Sequence, residues 1–295
     1  MPEDVAADDY AAVEQYYDEG VEREWARLDK DYYHMLEYRT TLHFLHSYLP
    51  PAPARILDCG GGPGRYAVAL AQEGYQVTLL DLSEKCLAFA QKKAEELGVC
   101  GIEAFVHASA TSLPFPDEQF DAVLLAGPLY HLVREEDRLA AMRESLRVLK
   151  TGGLVAATIV PLLGVFRASL VEFPEFITGG DCLRYLGRPY QEAGRDFTGS
   201  FTTAYFGDPL ELEAQYEVLG AEAITLVALE GLASSLNSNL NCLAEEGAGE
   251  TWWQIHLNTC THPAIVGSCE HTLYLGRKRQ DIELSQPESD EGNSD

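Results

Sequence analysis

Positive charge is scarce in this chain. Against 47 aspartates and glutamates stand 21 lysines and arginines, which leaves a formal net charge of −26 at pH 7. Passive attraction to nucleic acid or to an anionic membrane needs a basic surface, so this balance argues against both as partners. Cysteine pairs of the metal-binding kind are missing too. The seven cysteines show no C-x-x-C pair and no zinc-finger spacing, and they read as reduced, mostly buried thiols with no metal site. No apolar run reaches the length of a membrane span. The opening MPEDVAADDY lacks the basic and apolar regions of a secretory signal, which makes a cytoplasmic location the default expectation. There is no internal repeat.

What is present is enough apolar material for a substantial core: 46% of 295 residues are hydrophobic. From Arg55 to Val160 short apolar runs alternate with helical patterns. RILD, QVTLLD, EAFVHA, FDAVLLA and GGLVAATIV read as strands. RYAVALAQEG, SEKCLAFAQKKAEELG and EEDRLAAMRESLRVLK read as helices, the second opened by Ser83 and closed by Gly98. Strands alternating with helices at this spacing predict an α/β fold, a parallel sheet with helices on both faces. Residues 1–50 form an aromatic-rich N-terminal segment whose later part is amphipathic, and which Pro50 and Pro51 stop. This part is expected to be a helical cap. Residues 51–278 are the main domain. Within it, residues 161–207 are too long for an ordinary connection and are expected to be a lid or acceptor-binding insertion. Residues 279–295 are acidic and poor in large apolar groups, so disorder is expected.

The stretch ILDCGGGPGRYAVAL carries the first chemical signal. Gly60, Gly62 and Gly64 follow a strand that ends at Asp58. A tight glycine turn lets backbone approach a ligand without a Cβ in the way. The dinucleotide fingerprint G-x-G-x-x-G is not met, because Arg65 stands at its last position. A phosphate-binding P-loop is excluded, since no Lys-Ser/Thr follows. Asp81 closes the next strand, roughly 20 residues on, where an acid binds ribose hydroxyls. These features suit any ribose-bearing ligand.

In chain order, LDCGGGPGRYAVALA, VTLLDLSEKCLAFA, SATSLPFPDEQFDAVLLAGPLYHLV and LRVLKTGGLVAATIV together resemble the class I S-adenosylmethionine-dependent methyltransferases, in particular small-molecule enzymes with a GPLYHL stretch after strand four. The resemblance spans about Leu49 to Val160 and extends more weakly to the end of the domain. It implies a Rossmann-like, seven-stranded, mostly parallel sheet with an antiparallel last strand, and S-adenosylmethionine as methyl donor. It also implies roles. Asp58 would help organise the methionine amino group. Gly60, Gly62 and Gly64 would admit methionine and ribose. Asp81 would hold the ribose hydroxyls, with Leu82 packing on adenine. Ser109 stands where the family commonly has an acid facing the adenine amino group, and the Ala110 amide would meet a ring nitrogen. Gly127 would lie where methionine and acceptor meet. Methyl transfer is an in-line displacement, so positioning and exclusion of water are the main demands on the protein.

Each assignment has a structural alternative. Asp58 would equally cap a turn, Asp81 would serve a helix start, and Ser109 would be a turn serine. Tyr130 and His131 fall on the acceptor side, and His131 has a pKa suited to proton removal from a hydroxyl or amine; its alternative is a backbone-bonded histidine. Arg39 would pair with the methionine carboxylate or form a surface salt bridge. Tyr32, Tyr33, Tyr38, Trp252, Trp253 and His256 divide between lid and core. The expected function is methyl transfer to a small-molecule acceptor by a monomer or homodimer. A non-catalytic nucleoside-binding protein and a nicotinamide-dependent oxidoreductase are the alternatives. The acceptor is not named by these motifs.

Overall fold

A computed structural model describes residues 3–191 and 202–280. Two helices come first, α1 over Glu3–Arg27 and α2 over His34–Tyr48. The alternating run follows: β1 Arg55–Cys59, α3 Arg65–Gln72, β2 Gln76–Asp81, α4 Glu84–Glu96, β3 Ile102–His107, β4 Phe120–Leu125, α5 Glu135–Val148 and β5 Leu149–Pro161. Beyond it lie α6 Leu162–Ser169, α7 Glu175–Thr178 and the short strands β6 Tyr190–Gln191 and β7 Ala204–Gly207. The chain then forms α8 Pro209–Val218, β8 Ala221–Ala228, α9 Asn237–Glu245, α10 Gly249–Thr259, α11 Pro263–Val266 and β9 Thr272–Lys278.

Local chemistry fixes several boundaries. The Ser83 hydroxyl accepts the Cys86 N–H at 3.0 Å and caps α4. Past the end of α4, Gly98 takes a left-handed φ of 66°. Asp208 caps α8, with Pro209 at its first position. The helix α9 was not foreseen: its sequence is mostly polar, and Leu240 is its single buried hydrophobic side chain.

The main sheet runs β3-β2-β1-β4-β5-β9-β8. The first five strands are parallel. β9 runs antiparallel to both of its neighbours, with Ala157 opposite Tyr274 and Val227 opposite Leu273. The expected seven strands and the antiparallel last one are therefore both present. Alternate residues of a strand point to opposite faces, and the core divides accordingly. Leu57, Val123 and Val155 join Met142 and Leu146 of α5 and Tyr216 of α8 on one face. Ile56, Ala122 and Leu154 join Leu45 of α2 and Leu70 of α3 on the other. Strands covered on both faces carry continuous apolar runs, which is why they were legible.

The described part of the insertion forms a small core of its own. Phe176, Tyr185 and Phe206 are buried together, with Phe176 and Tyr185 edge-on at 5.0 Å. β7 extends the sheet from the end of β5, Val160 opposite Phe206, and β6 pairs back on β7. Residues 192–201 of the insertion and residues 281–295 of the expected disordered tail lie outside the described residues. No described helix is long and apolar enough to cross a membrane. Among the described residues all seven cysteines are free thiols, five of them buried.

Candidate active site

The sheet changes direction of winding between β1 and β4, and a crevice opens at the carboxyl ends of the strands there. Crevice and mouth together hold about 1060 Å³, of the order of a small-molecule site. One wall is the strand-end wall. Gly60 (φ 70°) donates its N–H to the Leu80 carbonyl at 2.7 Å, and a Cβ there would lie 2.4 Å from Pro128. A Cβ on Gly127 would lie 2.9 Å from the Gly60 carbonyl oxygen. The two loops thus approach glycine to glycine, and side chains there would force them apart. At Gly62 (φ 54°) a Cβ would meet nothing within 4 Å, so this backbone faces open space in the crevice.

Asp81 ties this wall together. Its Oδ2 accepts the Gly62 N–H at 2.7 Å and its Oδ1 accepts the Ser83 N–H at 2.8 Å. Burial raises the pKa of this carboxyl, and these backbone donors oppose the shift. A carboxylate oxygen accepts more than one hydrogen bond, so both oxygens keep capacity for a ligand. Asp58 lies behind the loop. Its Oδ2 accepts the Ala67 N–H at 3.1 Å at the start of α3, and its buried Oδ1 has no partner among the described residues. Burial, and then the charge of Asp81, pushes the Asp58 carboxyl up to about 7.

The other wall is α1. Tyr10, Val13, Glu14 and Tyr17 face the crevice at i, i+3, i+4 and i+7, and Glu24, Arg27 and Leu28 continue the stripe. The helix kinks at Gly20, whose φ and ψ are −116° and 15°. It is tied down on both sides of the mouth. Tyr10 donates to Asp137 of α5. Asp18 accepts from the Ser83 hydroxyl at 2.6 Å and pairs with Lys85 at 3.2 Å. The Trp25 and Phe89 rings lie 5.8 Å apart.

His131 stands between the walls. Its Nδ1 is 3.0 Å from the Thr203 carbonyl oxygen, which only accepts, so Nδ1 carries the proton. Burial pushes the imidazole down to about 4, so the ring is neutral at pH 7 and Nε2 accepts. The Tyr17 hydroxyl donates to that Nε2 at 2.8 Å. The near-neutral pKa expected from sequence is corrected here, because complete burial penalises the charged ring. Tyr130 also lines the crevice, its hydroxyl 3.3 Å from the Ala126 carbonyl.

A partly buried charge network borders the crevice through Glu24, Arg27 and Glu37. Arg27 donates to Glu24 at 2.8 Å and holds Glu37 with two further donors, one at 3.1 Å. His271 Nδ1 lies 2.8 Å from Glu230 and 3.8 Å from Glu37. Burial alone would raise the Glu37 carboxyl, yet Arg27 and His271 bring it down to about 2. Burial alone would lower His271, yet Glu37 and Glu230 lift it to about 9. Glu37, Glu230 and His271 place three metal-ligand-type atoms within 4.8 Å of one another. Two cations, Arg27 and His271, face three carboxylates here, Glu24, Glu37 and Glu230.

Nine of the twelve residues singled out from sequence line the crevice: Gly60, Gly62, Asp81, Leu82, Ser109, Ala110, Gly127, Tyr130 and His131. The Ser109 hydroxyl bonds that of Thr111 at 2.9 Å, which makes it a turn serine as well as a lining residue. Asp58, Gly64 and Arg39 do not line it. A Cβ on Gly64 would lie 3.0 Å from Leu79 and Ala90, so this glycine serves the packing of α3 and α4. Arg39 lies over the Trp253 ring at 4.2 Å and 3.7 Å from Glu250, on the α10 side. The arginines that line the crevice are Arg27 and Arg65 instead. Tyr33 and Trp253 are core residues, Tyr38 stacks on Tyr66 at 5.6 Å, and His256 bonds Thr40 at 2.8 Å. The insertion's described residues reach the site through Thr203, behind His131. Tyr10, Tyr17 and Arg27 were missed. Their stripe is present in the sequence, but Glu14 and Glu24 interrupt its apolar character.

Residues 56–153 match the family described as methyltransferase domain. The chain is 38% identical over 102 residues to the ubiquinone/menaquinone biosynthesis C-methyltransferase UbiE of Azotobacter vinelandii. That match covers 34% of this chain and 39% of the relative, so the chain spans about two fifths of the length of the curated relatives it matches. Among solved structures it is similar to a SAM-dependent methyltransferase of Methanosarcina mazei, with TM-score 0.56, 20% identity and coverage of 81% of this chain and 98% of the other. It is likewise similar to the 1,6-didemethyltoxoflavin-N1-methyltransferase of Burkholderia thailandensis, solved with 1,6-didemethyltoxoflavin and S-adenosylhomocysteine. There the TM-score is 0.56 at 13% identity, covering 95% and 93% of the two chains. At such identities the likeness is one of fold.

Proposed function

We propose that this chain, whose residues 56–153 match a methyltransferase-domain family and whose fold is similar to that of SAM-dependent methyltransferases, moves a methyl group from S-adenosylmethionine to a small-molecule acceptor. The observation that carries the reading is the joint placement of Asp81 and the Gly60–Gly62 backbone on one wall of a crevice at the strand ends. A bound donor supplies a sulfonium methyl group open to in-line displacement. The chain's part is to hold and to enclose. Asp81 has acceptor capacity for two ribose hydroxyls, Gly62 presents bare backbone, and Leu82, Ser109 and Ala110 form the side on which a purine would rest. Asp58 stabilises the loop and the first turn of α3 from behind.

On the acceptor side, Tyr17, Tyr130 and His131 face the same space. Where the acceptor carries an O–H or N–H, its proton passes to the Tyr17 oxygen as the Tyr17 proton passes to His131 Nε2. Thr203 keeps the imidazole in the tautomer that can accept. With a pKa near 4, His131 is a weak base, so proton transfer accompanies methyl transfer and does not precede it. The quinone chemistry of the UbiE relatives is not carried over to this chain. The family match begins after α1 and α2 and ends before β8 and β9; it contains Tyr130 and His131 but leaves out α1 and the residues of the charge network. The net charge of −26 favours a small molecule over nucleic acid.

The test is donor carrying an isotopically labelled methyl group, incubated with pools of small molecules and read by mass spectrometry, alongside titrations with S-adenosylhomocysteine and NAD. Label transfer and S-adenosylhomocysteine binding are expected. NAD binding without S-adenosylhomocysteine binding would overturn the reading. Donor-product binding with no transfer to any pool would favour a non-catalytic binding protein.

A further inference from the structure

α1 crosses the crevice between two fixed points. Tyr10 donates to Asp137 of α5 and packs against the apolar cluster that contains Ala110 and Leu132. Two turns on, Asp18 accepts from the hydroxyl of Ser83, the residue after Leu82, at 2.6 Å. Glu14 lies midway, four residues from each, so the three share one face of the helix. It lines the crevice together with Leu82, Ser83, Ser109 and Ala110. That is the side on which the purine of a bound donor would rest.

Four carboxylates line this crevice, Glu14, Glu24, Glu37 and Asp81. Three are engaged: Glu24 and Glu37 by Arg27, and Asp81 by the N–H groups of Gly62 and Ser83. Glu14 has no hydrogen bond or ion pair to any described residue. The hydroxyls beside it are taken. Ser83 caps α4 and donates to Asp18, and Ser109 bonds the Thr111 hydroxyl and accepts its N–H. The Ala110 N–H, by contrast, donates to no described residue. This side of the crevice therefore offers a free backbone donor and a free carboxylate acceptor. Adenine presents the complementary pair, a ring nitrogen that accepts and an exocyclic amino group that donates. A carboxylate only accepts, so it suits an amino group and repels a carbonyl in the same place.

We infer that Glu14 is the specificity-determining residue for the base of the methyl donor, its carboxylate accepting the exocyclic amino group of adenine while the Ala110 N–H meets a ring nitrogen. The cap helix then recognises the donor through Glu14 and faces the acceptor through Tyr17. This inference rests on the methyl-transfer reading and adds to it the residue that selects adenine.

The experiment uses the intact chain and two ligands: S-adenosylhomocysteine, and its 6-deamino analogue, in which hydrogen replaces the amino group and every ring nitrogen is kept. Calorimetric titration measures the affinity of each. The parent should bind S-adenosylhomocysteine about tenfold more tightly than the analogue, as expected for a hydrogen bond to a charged group. In Glu14→Ala the preference should fall to within about twofold, through weaker binding of S-adenosylhomocysteine alone. The analogue should bind this variant as it binds the parent, which reports an intact crevice. Glu14→Gln keeps a carbonyl acceptor and should retain a preference of about threefold. In Glu22→Ala, an exposed position on the same helix, the full preference should persist. The inference is overturned if the parent binds both ligands equally, if the preference survives in Glu14→Ala, or if that variant loses both ligands alike. If the parent does not bind S-adenosylhomocysteine at all, the methyl-transfer reading itself falls, and this inference with it.

Discussion

The strand-end wall and the α1 wall of the crevice hold their polar groups by different means. On the strand-end wall, Asp81 is fixed by the N–H groups of Gly62 and Ser83, nineteen and two residues away. Its neighbours in space are largely its neighbours in one β-α-β unit. On the α1 wall, Tyr17 depends on His131, 114 residues away, and Arg27 is held by Glu37, which itself lies 3.8 Å from His271. A wall built from local turns can be carried between proteins as a unit. The α1 wall has to be assembled anew from distant segments. That difference agrees with a family match confined to residues 56–153.

Substitutions around Tyr17 should therefore change turnover more than donor affinity. The largest effect is expected from His131→Asn. The asparagine amide reproduces the donation to Thr203, but its carbonyl oxygen does not reach the place of Nε2, where Tyr17 donates. With a proton-bearing acceptor, turnover should fall about a hundredfold while S-adenosylhomocysteine affinity stays nearly constant; steady-state kinetics and calorimetry check the two parts. Full turnover would make His131 structural. Next comes Tyr17→Phe, which keeps the ring and removes the relay hydroxyl. A loss of about tenfold in turnover is expected, again without loss of donor binding. A variant as active as the parent would take Tyr17 out of the proton path.

A smaller effect concerns stability. His271 is raised to about 9 in the fold from roughly 6.5 in an unfolded chain. Its stabilisation is fully present below the unfolded value and is lost as pH rises through about 9. His271→Gln should flatten the fall in stability across that window by on the order of 1 kcal/mol, measured by urea unfolding at a series of pH values. An unchanged slope would show that the charge network does not titrate there. The smallest effect belongs to Arg39→Gln. Because Arg39 faces Trp253 and Glu250, donor affinity should shift by less than about twofold. A larger loss would mean that α2 turns toward the crevice when the donor binds.

Sequence carried most of the fold because buried parallel strands write themselves as apolar runs, and because Ser83 and Gly98 mark the ends of α4 by local chemistry. It carried the strand-end wall for the same reason: the positive φ of Gly60 and Gly62 and the hydrogen bonds of Asp81 lie within one short segment. Three kinds of information were out of reach. Burial was one, so His131 read as a base near neutrality when its surroundings hold it near 4. Helix phase was another: Arg27 and Arg39 both sit on cap helices, and packing of α2 against α10 decides which of them meets the crevice. The third was long-range pairing, since no spacing rule links Glu37 to His271 or Tyr17 to His131. Gly64 shows a subtler limit. It belongs to the glycine motif, yet its lack of a Cβ serves Leu79 and Ala90.

The most direct test of the donor site is calorimetric titration of S-adenosylhomocysteine into the intact chain and into Asp81→Ala. One site per chain is predicted in the parent. In the variant, affinity should fall by about 1.5–3 kcal/mol, as expected when hydrogen bonds to a charged group are lost, and the folded spectrum should be retained. No binding to the parent, or equal binding to parent and folded variant, would contradict the assignment of this crevice to the methyl donor.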